Sequence, residues 1–198
     1  MRKTGILMPV SSLPSRTGVG EMGAEAYHFL TLLKESGIKI WQILPMNPVG
    51  YGNSPYQPYS SCAGDELYIS LDTLYEVLDY LYEEGLLKER PEGFHEYATK
   101  VDYDAVRLHK EPYLREAFQT FLTSGGCETK DYQEFADQSW VYEYGAFRAL
   151  KKANGGCCWN EWKQEDKMWP DARTDLAPEL ETEVQYHMFL QYVFFSQW

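Results

Sequence analysis

Apolar and polar positions change their spacing along this chain. Gly5-Ile6-Leu7-Met8-Pro9-Val10 is a short continuous apolar run, and Ile38-Lys39-Ile40-Trp41-Gln42-Ile43-Leu44 is a second, rich in β-branched and aromatic residues. Runs of this kind predict strands buried on both faces. Between them, from Ala24 to Ser36, Tyr27, Leu30, Leu33 and Lys34 recur at helical spacing, and Gly37 follows as a suitable C′ residue. Strand, helix, strand with short joints is a βαβ unit, so the two strands should be parallel. The fold class expected is α/β.

Beyond residue 71 the pattern turns helical. Asp72 is placed to cap a helix through about Glu84, with Leu74, Val77, Leu78 and Leu81 on one face and Gly85 at the end. Val101 to Ser124 reads as a long helix capped by Asp102, which Pro112 should kink or split. Lys130 to Asn154 predicts one or two helices stopped by Gly155-Gly156, and Cys157 to Asp175 a Trp-rich connection. Pro178 suits the first turn of a last helix that runs to Trp198. From Tyr186 onward that helix is apolar almost all round, so it must be covered. An exposed helix of this kind predicts self-association, or a place in a longer chain.

The stretch Tyr51 to Leu71, YGNSPYQPYSSCAGDELYISL, fits neither period. Tyr51, Tyr56 and Tyr59 stand among Gly52, Pro55, Pro58 and Gly64, which make a turn-rich loop. Three tyrosines so punctuated are awkward to bury. With Asn53, Ser54 and Gln57 they suit a ligand with flat apolar faces and many hydroxyls, such as a sugar.

Bulk properties narrow the partners. The 198 residues are 44% hydrophobic and 16% aromatic, enough for a packed core, and the net charge is −12. So acidic a chain argues against nucleic acid or an anionic membrane as the main partner. Cys62, Cys127, Cys157 and Cys158 have no CxxC spacing, and the start MRKTGILMPVSS lacks a signal-peptide core. A cytoplasmic, reduced protein is the expectation. His28, His95, His109 and His187 are scattered without ligand spacing, so no metal site is expected.

Three features with a chemical reading have a plainer one. Gly18-Val19-Gly20-Glu21-Met22-Gly23 matches GxGxxG, but Ser11 to Thr17 intervene after the first strand and no acidic residue ends the second. A glycine-shaped loop entering a helix is therefore favoured over a nucleotide site. Glu21, Asp65 and Glu66 are candidates for the paired carboxylates of glycosidic chemistry, yet nothing marks two of them as a matched pair. Trp159, Trp162 and Trp169 suit core packing better than sugar stacking.

Taken in order, SSLPS, GxGxxG, WQILPxxP and SPYQxxS are highly specific. The pieces GILMPVSSLPSRTGVGEMGAEAYHFL, GIKIWQILPMNPVGYGNSPYQPYSSCAG, VDYDAVRLHKEPYLREAF, WVYEYGAFRALK and FLQYVFFSQW resemble the N-terminal part of the amylomaltase, or 4-α-glucanotransferase, family (glycoside hydrolase family 77), over essentially the whole chain. The resemblance implies a TIM (β/α)₈ barrel elaborated by helices. It also implies a retaining transfer of α-1,4-glucan segments to the 4-hydroxyl of glucose or another glucan, without cofactor. Expected partners are maltooligosaccharides or α-1,4-glucans.

By their place in the motif, Ser54 and Tyr56 resemble active-site sugar contacts and Tyr51 part of an outer glucan-binding surface. Asp65-Glu66 departs from the family's usual asparagine-proline or aspartate-proline pair. A whole barrel takes roughly 250 residues, and the family's catalytic carboxylates lie on later strands. No catalytic residue is therefore assigned. The expectation is an incomplete barrel, an N-terminal fragment inactive alone: residues 1–71 begin the barrel with two parallel strands, 72–176 form a helical insertion, and 177–198 a helix leading back. A glucan-binding module without catalysis is the second reading, and a self-associating protein the third.

Overall fold

A computed structural model describes residues 2–75, 85–95, 98–172 and 176–198. Strand β1 (Gly5–Leu7) pairs in parallel with β2 (Ile40–Gln42), with Gly5 opposite Ile40 and Leu7 opposite Gln42. Helix α1 (Ala24–Glu35) makes the crossover. It ends in a Schellman motif: Gly37, at φ +71°, donates to Lys34 O at 3.1 Å and Ile38 to Leu33 O at 2.9 Å. Phe29 of α1 meets Trp41 of β2 edge to face at 4.9 Å, and the Trp41 indole donates to Met8 O at 2.8 Å.

The βαβ unit is as the sequence predicts, but its burial is not. The strands are three residues each, and Leu7 is 59% and Ile40 45% exposed. On α1 only Leu33 is buried, while Tyr27, Leu30 and Leu32 stay exposed. The physical reason is coverage: a two-stranded sheet with one crossover helix leaves apolar faces that no described element packs against.

The first compact unit comprises residues 1–126 and 193–198. Its Gly-rich stretch is a structural loop. A Cβ on Gly20 would run into the Val10 carbonyl and Leu13, and one on Gly23 would meet the Ser70 hydroxyl. Those glycines let the chain cross closely over a 3₁₀ turn at Val10–Ser12 before entering α1. Asp65 caps a second turn, Glu66–Tyr68, and α2 begins at Asp72–Tyr75. The rest of the helix expected to Glu84 lies outside the described residues.

Helix α3 (Tyr103–Thr123) starts at Asp102, whose Oδ1 accepts from Ala105 N at 3.1 Å. It runs through Pro112 as one helix and is not split. Val106 of α3 joins Val19 and Leu67 in a buried cluster, flanked by Phe94, Val101 and Tyr103.

The second unit comprises residues 127–192. The Lys130–Asn154 pattern resolves into two helices, α4 (Lys130–Ala136) and α5 (Ser139–Ala153), and Gly155 and Gly156 follow at φ +66° and +74°. The Trp-rich stretch differs from expectation. It holds a 3₁₀ turn, Trp159–Glu161, and a further helix, α6 (Gln164–Ala172). Its first turn carries Glu165 and Asp166, which favour a helix N-terminus, but too few apolar residues mark its face. Trp162 is buried and stacks on Phe147 at 5.7 Å, Trp169 packs at the core edge, and Trp159 is 56% exposed.

Helix α7 (Pro178–Gln197) closes the chain. Val184 and Met188 pack with Val141, Ala146 and Ala149 of α5, where Gly145 lets α5 approach the Val184 carbonyl. The expected exposed apolar helix is corrected here. Tyr186, Phe189, Leu190, Val193 and Phe194 are buried within the chain itself, the cover that a helix apolar nearly all round requires. Only the end stays open, with Phe195 at 37% and Trp198 at 66% exposure. No helix among the described residues is long and apolar enough to cross a membrane.

Candidate functional site

The tyrosine loop folds as an arch. Val49 pairs antiparallel with Pro58, Tyr59 N donates to Pro48 O at 2.9 Å, and Gly50 N to Gln57 O at 3.3 Å. Between these legs lie a 3₁₀ turn at Tyr51–Asn53 and a second turn in which Gln57 N reaches Ser54 O at 3.1 Å. Gly52 and Asn53 sit at φ +78° and +51°, a region that glycine and asparagine enter with least strain. This explains the Gly-Asn pair: the tip must reverse within a few residues.

The arch brings Ser54 and Tyr56 together. Ser54 is half-buried, its Oγ accepts from Tyr56 N at 3.4 Å, and the Tyr56 ring stands 71% exposed. Tyr59 is 41% exposed on the returning leg. Tyr51 opens the first turn, three positions before Ser54.

At the neck of the arch the legs are tied. Asn47 Nδ2 donates to Ala63 O at 2.9 Å, and Asp65 N to Met46 O at 2.8 Å. The Asp65 carboxylate is 1% exposed and is gripped by both terminal guanidinium nitrogens of Arg107 at 2.8 Å each. It also accepts from Val49 N at 3.3 Å and Leu67 N at 3.0 Å. Beside the neck an apolar cleft of about 360 Å³ is lined by Leu44, Met46, Ala63, Phe194, Phe195 and Trp198.

The carboxylates weighed for glycosidic chemistry are held by cations instead. Glu21 Oε2 receives the Lys110 ammonium at 2.7 Å and the Thr17 hydroxyl at 2.8 Å, and Oε1 the Ser70 hydroxyl at 3.2 Å. Lys110, 1% exposed, gives its other protons to Leu67 O at 2.8 Å and Ile69 O at 2.7 Å. All three ammonium donors are thus matched, as burial of a charge requires. Burial, with the Asp65 charge second, pushes the nearby Tyr68 phenol up to about 12. Among the described residues no group of three or more His, Cys, Asp or Glu is gathered to hold a metal ion.

Sequence spacing marks neither cation as a site residue. Lys110 did leave a signal, because it falls on the buried stripe of α3 between Val106 and Leu114. A lysine there calls for a buried acid.

A family model described as 4-alpha-glucanotransferase matches residues 8–198. The chain belongs to that family. Curated 4-alpha-glucanotransferases from Synechocystis and Thermus thermophilus are 39% and 38% identical over the whole chain. The chain spans 39% and 38% of their respective lengths. Its structure resembles the amylomaltase of Streptococcus agalactiae in complex with acarbose, with a TM-score of 0.79 and 29% identity, covering all of this chain and 40% of that one. The amylomaltase of Corynebacterium glutamicum shares the fold, with a TM-score of 0.64 at 14% identity.

Proposed function

We propose that this chain is the N-terminal, sugar-holding part of a 4-α-glucanotransferase. The parent enzyme transfers a segment of an α-1,4-glucan to the 4-hydroxyl of glucose or another α-1,4-glucan by retaining double displacement. Within it, residues 1–71 begin a (β/α)₈ barrel, 72–176 form the helical insertion and 177–198 lead back toward further strands. A cytoplasmic location belongs to the same reading.

The observation that carries the proposal is the open Ser54–Tyr56 corner on a tied arch, in a chain of this family. A free tyrosine face beside a hydroxyl suits a pyranose ring, which offers an apolar face and a rim of hydroxyls. That the Streptococcus relative was solved in complex with acarbose supports a maltooligosaccharide as ligand. Tyr51 is assigned to an outer glucan-binding surface. No catalytic carboxylate is assigned: Glu21 and Asp65, two of the three candidates, are locked to Lys110 and Arg107. Their lone pairs are spent on these cations and on neighbouring donors within the fold.

The experiment is a titration of the purified chain with maltoheptaose, followed by chemical shifts. A saturable response centred on residues 51–59, lost in Tyr56→Ala, is expected, while maltotriose added to the chain stays intact. Absence of a saturable response would remove the sugar-holding role. Release of glucose from maltotriose would place catalytic groups in this chain after all.

A further inference from the structure

The departure at Asp65-Glu66 leads to a residue that the sugar reading does not use. Asp65 stands where the returning leg of the arch enters the 3₁₀ turn Glu66–Tyr68. Its carboxylate reaches three elements at once. Oδ2 accepts from Val49 N on the outgoing leg at 3.3 Å, and Oδ1 from Leu67 N past the exit at 3.0 Å. Both oxygens then take the Arg107 fork from α3 at 2.8 Å each, and Arg107 also lies 3.6 Å from Glu66 Oε1.

A bidentate guanidinium fixes a carboxylate in plane as well as in place, which a single ammonium cannot do. Fixing that plane aims Oδ2 at Val49 N. Val49 is the residue that bridges to Pro58, two positions beyond Tyr56. The order of contact is therefore Arg107, Asp65, Val49, Pro58, and then the tip. Helix α3 anchors this line through Val106, 1% exposed and adjacent to Arg107.

We propose that Arg107 and Asp65 form a positioning pair. Through Val49 they hold the arch Pro48–Tyr59 in the shape that presents Ser54 and Tyr56 to a maltooligosaccharide. This rests on the sugar-holding reading for its ligand. The mechanical part, that the pair sets the order of the arch, stands on geometry alone. Arg107 is partly exposed and lies outside the Val19–Leu67–Val106 cluster, so its role concerns the arch more than the core.

The test uses the whole chain with Arg107→Met, which keeps much of the side-chain length and loses the fork. Arg107→Lys is the milder variant, keeping the charge without the bidentate grip. Amide hydrogen exchange is read at Val49, Tyr59 and Leu67 and compared with Val141–Leu150 of α5 in the same sample. Maltoheptaose affinity is measured alongside.

The expected result for Arg107→Met is exchange at least tenfold faster at Val49, Tyr59 and Leu67, with α5 unchanged and affinity about tenfold weaker. Arg107→Lys should fall between it and the natural chain. Unchanged exchange at Val49 would overturn the pair. So would a uniform rise that includes α5, which would make Arg107 a general structural residue. Faster exchange in the arch with unaltered affinity would overturn the link from the pair to the ligand. If the natural chain binds no maltoheptaose while the exchange result holds, the sugar-holding reading fails and the mechanical role survives by itself.

Discussion

Replacing Lys110 by Met tests the buried Glu21–Lys110 pair of the first unit. The side chain is 1% exposed, and its ammonium serves Glu21 Oε2, Leu67 O and Ile69 O, all within 2.8 Å. Met fills nearly the same space, so the cavity contribution is small. What is lost is the charge and three donors. Among the described residues, Glu21, 8% exposed, then has the Thr17 and Ser70 hydroxyls against its negative charge. Removing one partner of a buried pair destabilises by about 3–5 kcal/mol, and each carbonyl left dry adds about 1–3 kcal/mol. Water entering beside Glu21 offsets part of this, so the expected loss is about 4 kcal/mol, a large share of the ~5–15 kcal/mol typical of a domain. With a urea slope of about 2 kcal/mol per molar, the midpoint should fall by about 2 M. Glu21→Gln removes the charge from the other side, and Glu21→Gln/Lys110→Met should lose clearly less than the sum of the singles, by about 1–3 kcal/mol. A midpoint shift under about 0.5 M for Lys110→Met, or strict additivity in the double variant, would refute the reasoning.

Other outcomes follow from single contacts. Gly20→Ala puts a methyl into the Val10 carbonyl and Leu13, both largely backbone-fixed, and should lower stability by about 1–3 kcal/mol in a thermal scan. Tyr68 stays protonated in the folded chain up to about 12, while in the unfolded chain it ionises near 10. The unfolded state therefore releases the proton first, so stability should fall as pH climbs from about 10 to 12, and Tyr68→Phe should flatten that part of the curve. Tyr56→Ala, at a residue 71% exposed, should leave the unfolding free energy from a urea titration unchanged within about 0.5 kcal/mol while abolishing the maltoheptaose response.

The elements that the sequence reveals are those whose signals are local. Gly37 at C′ of α1, Asp102 at the start of α3 and Gly155-Gly156 after α5 each act within one helical turn, and each stands where the spacing put it. The parallel order of β1 and β2 was legible for a related reason, because a short βαβ connection allows one arrangement. Helix α6 was missed because Glu165, Asp166 and Lys167 dilute its apolar face and Pro170 reads as a breaker, although nine residues form it. The burial of the two strands was misjudged because an apolar run reports a need for cover without supplying it.

What spacing could not disclose is how the arch is held. Glu21 and Lys110 are 89 positions apart, and Asp65 and Arg107 are 42 apart. Periodicity works within one element and says nothing of which acid a buried base will meet. One inference does reach that far. A lysine on an apolar helical stripe and an aspartate following a Gly-rich turn are each costly to bury alone, so each implies an opposite charge somewhere in the fold. The α3 helix supplies both answers from positions three residues apart, Arg107 toward the arch and Lys110 toward the Gly-rich loop. One turn of helix thereby ties the loop after β1 and the loop after β2 to the same support. The placement of Ser54 and Tyr56 thus depends on a helix that begins nearly fifty residues later in the chain.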